Sequence, residues 1–121
     1  MMKCSVKSNN YISLFTYDPT QTILNLLKEK KITQLDVSYY IGINERNTRK
    51  YFLRQTKLNK HFIIIISVIT ELPMLVTLEL FKISGLEITL LDDGPLYFEF
   101  IKNMEKHTIE ENLEIIFKNN L

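Results

Sequence analysis

The stretch Thr33–Lys57, TQLDVSYYIGINERNTRKYFLRQTK, decides the fold. It reads as two short helices joined by a tight turn at Gly42. Thr33 is placed to cap the first helix, with Asp36 three residues on as its reciprocal partner, and Ile32 and Val37 flank the cap as a hydrophobic staple. The first helix runs to about Ile41, where Gly42 permits the positive φ that a sharp exit requires. Ile43 plugs the turn, and Asn44 caps a second helix over about Glu45–Leu53. Arg46, Arg49 and Lys50 follow at spacings of three and one, so they share a helix face. Arg54, Lys57 and Lys60 carry the charge onward, so that six cations stand against one acid, Glu45, between residues 45 and 60.

Upstream, Asp18-Pro19-Thr20-Gln21 is a helix start, with a capping acid, a proline at the first position and a glutamine at the third. The helix runs to about Lys30, with Ile23, Leu24, Leu26 and Leu27 as its apolar stripe and Lys28, Lys30 and Lys31 at its end. Tyr11–Tyr17, rich in aromatic and β-branched residues, reads as a short strand, preceded by a polar arm, Met1–Asn10. Downstream, Asn59 caps a helix over about Lys60–Glu71 that is apolar nearly all round from Phe62. The β-branched run Ile63–Ile66 would also suit a buried strand, but length and context favour helix. Pro73 ends it, and a fifth helix covers Thr77–Ile83 with Gly85 as its stop.

From Leu86 the period changes to two. Leu86, Ile88 and Leu90 alternate with Glu87 and Thr89, and Leu96, Phe98 and Phe100 alternate with Tyr97 and Glu99. With Asp92-Asp93-Gly94-Pro95 as a turn between them, a β-hairpin is expected. Thr108 and Glu111 form a capping box for a last helix with Leu113, Ile116 and Phe117 as its stripe. The expected fold is therefore mainly α with a small β-hairpin (α+β). It divides into an N-terminal arm over 1–18, a five-helix unit over 19–85, and a hairpin plus helix over 86–121.

A chain of 121 residues can bury a real core. Its one cysteine, Cys4, allows no intrachain disulfide and no cysteine-based metal site, which suits a reducing cytosol. No signal-peptide pattern is visible, and the longest apolar run falls far short of the roughly 20 residues of a membrane span. A cytoplasmic protein without membrane association is expected. His61 and His107 lie apart without a ligand cluster, and Asp92 and Asp93 belong to a turn. No phosphate loop, nucleophile elbow or zinc-binding His pair is present. We expect no enzyme, no catalytic residues, no cofactor and no metal. The net charge of +1 hides an asymmetry. Residues 21–85 hold ten Lys/Arg against five Asp/Glu, whereas 86–121 hold three Lys against eight acids. Two surfaces with different partners follow from that.

A row of cations on a helix is by itself an ordinary solvated face. Here it sits on the second of two helices joined by a glycine turn, an arrangement that places one helix in a DNA major groove. The stretch TQLDVSYYIGINERNT resembles the Cro/C1-type (XRE-like) helix-turn-helix family, with Gln34, Ser38 and Ile41-Gly42-Ile43 at the pattern positions. Downstream, IIIISVITELPMLVTLELF looks like that family's fourth and fifth helices, and the resemblance spans about Thr20–Gly85. Thr48 stands where the family usually buries an aliphatic residue, and Phe52 and Leu53 replace its usual polar run.

The resemblance implies that Gln34 touches DNA at the start of its helix and that Asn44, Glu45, Arg46 and Asn47 lie at the base-reading end of the next. It also implies that Arg49, Lys50, Arg54 and Lys57 hold phosphates. Arg46 and Asn47 are the leading base readers, since Arg suits guanine and Asn suits adenine. The function so implied is a sequence-specific regulator, a repressor of bacterial or phage type, acting on double-stranded DNA. It is expected to be a homodimer paired through the hairpin's aromatic face; the other reading of the hairpin is that it closes over the helical core with Tyr11–Tyr17 as a third strand and the last helix covering it. The alternative is a non-enzymatic protein-binding module on the same fold, such as a phage-encoded inhibitor of a host defence complex or an antitoxin-like partner, engaging a protein through the acidic C-terminal region.

Overall fold

The computed structural model describes residues 11–121. Among these it is all-helical: α1 (Pro19–Glu29), α2 (Gln34–Ile41), α3 (Glu45–Phe52), α4 (Lys60–Ile69), α5 (Met74–Ile83), α6 (Gly94–Asn103) and α7 (Ile109–Lys118). Two 3-10 turns, Ile88–Leu90 and Met104–Lys106, flank α6.

The helix starts follow the local chemistry of their caps. Asp18 accepts from the Thr20 N–H at 3.0 Å with Pro19 behind it. Thr33 and Asp36 form the reciprocal box at the start of α2, and Thr108 and Glu111 form the one at α7. Asn59 caps α4 by accepting from the Phe62 N–H at 2.8 Å. Gly42 ends α2 with φ +81°, a conformation that costs an L residue about 1 kcal/mol or more.

The centre of the molecule is α4. Phe62 through Ile69 are all buried, and α4 packs against α2, α5 and α7. Burying each Ile side chain contributes roughly 1.5–3 kcal/mol. The two hydroxyls buried with them turn back onto their own helix. Ser67 donates to the Ile63 carbonyl at 2.9 Å and Thr70 to the Ile66 carbonyl at 2.6 Å, so neither is left unpaired. The strand reading of Ile63–Ile66 is thereby excluded.

Two expectations are overturned. No β-hairpin forms over 86–100. Pro95 occupies the first turn of α6 and Tyr97, Phe100, Ile101 and Met104 turn inward at spacings of three, one and three. That helical period buries Tyr97 and leaves Leu96 and Phe98 outside, the reverse of what alternation requires. Gly94 fits closely against the Ile88 carbonyl, where a Cβ would collide. Pairing of protomers through an aromatic hairpin face falls with the hairpin. Nor is Tyr11–Tyr17 a strand. Leu14 donates to the Tyr11 carbonyl and Phe15 to that of Ile12, which are turn bonds, and the segment then runs irregularly to Asp18. The arm Met1–Asn10, with Cys4, lies outside the described residues. Among the described residues no helix is long and apolar enough to cross a membrane.

Candidate nucleic-acid interface

Three residues dock α3. Thr48, Tyr51 and Phe52 recur at i, i+3 and i+4 and face the core. The Tyr51 ring stacks on Phe62 of α4 at 4.0 Å and 10°, and Phe52 meets the same ring edge-on at 5.8 Å. Asn59 donates to the Tyr51 hydroxyl at 3.0 Å. Thr48 is fully buried, and its hydroxyl donates to the Asn44 carbonyl at 3.1 Å. A polar residue therefore occupies an interior position without an unpaired hydroxyl.

With that face inward, Arg46, Asn47, Arg49 and Leu53 are exposed and Lys50 is half-buried. Asn44 is exposed but occupied: its side-chain oxygen accepts from the Asn47 N–H at 2.8 Å as the N-cap of α3. Gln34 is half-exposed at the first position of α2. Lys57 is exposed on the loop that leads to α4.

The six cations divide by what they touch. Arg49 lies 3.6 Å from the Glu45 carboxylate one turn back. Arg54 pairs with Asp18, tying the end of α3 to the start of α1. Its guanidinium holds the Asp18 carboxyl below its ordinary range, against a smaller opposing effect of desolvation. Lys60 binds Asp93 at 2.6 Å and lies over the Tyr97 ring, joining α4 to the start of α6. Burial, and then the Asp93 charge, push the Tyr97 phenol up to about 12. Arg46, Lys50 and Lys57 have no carboxylate within ion-pair distance among the described residues.

The helix end is also set. The Gln55 N–H closes on the Lys50 carbonyl at 2.8 Å, with Arg54 at φ +61° between them. The two long-range pairs were invisible in the sequence, because 36 and 33 residues separate their partners. Also unforeseen is an apolar fringe beside the cations: Leu35 (59% exposed) and Tyr39 (82%) one turn apart on α2, and Leu53 (56%) at the end of α3. Tyr40 packs half-buried against the core.

A cleft of about 630 Å³ lies between Tyr11–Tyr17 and α5, and no residue of α2 or α3 lines it. Among the described residues no group of three or more His, Cys, Asp or Glu could hold a metal ion. Comparison with models of known protein families found no match, nor did comparison with curated proteins or with solved structures. The helix-turn-helix resemblance rests on the residues alone.

Proposed function

We propose that this chain binds double-stranded DNA through α3 and acts as a transcriptional regulator of the repressor type. One observation carries the reading. Thr48, Tyr51 and Phe52 anchor α3, while exposed Arg46, half-buried Lys50 and, beyond them, exposed Lys57 have no carboxylate partner among the described residues. Arg46 and Asn47 are the base readers in this reading, with Lys50 and Lys57 on phosphates. Arg54 holds α3 to α1 and Lys60 holds α4 to α6, so both position the interface. One such unit spans only a short half-site, so two copies on a palindrome are part of the proposal.

Selection from random duplexes at moderate salt tests it. An enriched motif is expected, and Arg46→Ala combined with Arg49→Ala should abolish the preference while the protein stays folded. Failure to enrich any sequence would overturn the regulator reading. A second reading, a protein-binding module, is favoured by Leu35, Tyr39 and Leu53 around the basic helix, since exposed apolar side chains of this size suit a protein partner better than phosphates.

A further inference from the structure

We propose that Glu45 is a specificity-determining residue, which makes α3 select a base with an amino group in the major groove and reject bases that present only acceptors there. The inference rests on the DNA-binding reading above. Glu45 is the only acid between residues 45 and 60, and it stands at the first position of the helix whose start is to meet the bases. Its side chain is half-exposed and takes no part in docking α3. The side chain before it, Asn44, is occupied by the cap. Glu45, Arg46 and Asn47 are therefore the groups left to face a groove at this end.

The chemistry of a carboxylate there is one-sided. It only accepts hydrogen bonds. The major-groove edges of guanine (N7, O6) and thymine (O4) offer it only acceptors, whereas cytosine N4 and adenine N6 offer it a donor. Arg49, 3.6 Å away on the same flank, only donates and suits guanine. The two side chains thus form a matched acceptor and donor set one helical turn apart. Against phosphates the pair is close to neutral, so it withholds Arg49 from non-specific binding.

A helix-stabilising role also suits an acid at this position, because the helix dipole favours it. That role changes stability alone and leaves base preference where it was.

The test uses the full chain with Glu45→Gln and Glu45→Ala, random-duplex selection, and titration of one non-specific duplex. Glutamine keeps the length of the side chain and can donate as well as accept. Both variants are expected to bind the non-specific duplex more tightly than the wild type. Glu45→Ala should relax one position of the motif, losing about tenfold discrimination there, within the range of a single base contact, and Glu45→Gln, whose amide pairs bidentately with adenine, should favour adenine there. The other positions should be unchanged. An unchanged motif and unchanged discrimination in both variants would overturn the assignment of Glu45 while leaving DNA binding intact. Absence of binding by the wild type would overturn the DNA-binding reading itself, and this assignment with it.

Discussion

The division of cations into paired and unpaired predicts how DNA binding responds to salt. Affinity falls with log salt at a slope of about −0.9 for each phosphate neutralised. Lys50 and Lys57 have no carboxylate partner among the described residues, whereas Arg54 and Lys60 are held by Asp18 and Asp93. The double variant Lys50→Ala with Lys57→Ala should therefore make the slope shallower by about 1.8 per protomer. Between 50 and 200 mM salt, a fourfold change, the wild type should lose about 12-fold more affinity than this variant. The double variant Arg54→Ala with Lys60→Ala should leave the slope within a few tenths of the wild-type value, although it loosens both ends of the α3–α4 connection. Fluorescence anisotropy of a labelled duplex over a salt series reads both, with circular dichroism confirming that the variants fold. If the Arg54 and Lys60 variant flattens the slope as much as the other does, the ion pairs do not hold in the complex and the reasoning fails.

Two further outcomes concern the scaffold. Gly42→Ala should destabilise by about 1 kcal/mol, or about 4 °C in melting temperature, because φ is +81° yet nothing lies within 4 Å of an added Cβ. Gly94→Ala should cost clearly more, since its Cβ meets the Ile88 carbonyl; equal melting temperatures for the two variants would contradict this packing. The Asp18 carboxyl titrates below its ordinary value of 3.8, chiefly through the Arg54 guanidinium. A depressed pKa of this kind contributes stability that is present above pH 3.8 and lost as pH falls through the folded value. Urea denaturation from pH 6 to pH 2 should show Asp18→Asn weaker than wild type at the upper end and the difference closing below pH 3.8. Glu99 and Glu111, lowered by Lys102 and by the Thr108 backbone N–H respectively, titrate alike in both proteins. A gap that stays constant down to pH 2 would show that the ion pair carries none of it.

What was legible in the sequence was local. The caps Asp18, Thr33, Asn44, Asn59 and Thr108 act within three residues, and the Gly42 exit needs only its own backbone. The apolar run from Phe62 could only lie inside, whatever surrounded it. The exposed cations at 46 and 49 and the amide at 47 follow from the period of α3 once Thr48 and Phe52 are taken inward. The segment 86–100 was not legible, because over so short a length its apolar residues satisfy two periods at once. Leu96, Phe98 and Phe100 alternate, while Tyr97, Phe100 and Ile101 recur as a helix. Asp-Gly-Pro serves equally as a hairpin turn and as a helix start. Packing against α5 decided between them, by burying Tyr97 against Phe81. Tertiary structure alone also decided which cations are paired across the fold. A salt bridge needs two side chains within 4 Å, and nothing in the order of residues says that Asp18 will meet Arg54 or that Lys60 will meet Asp93.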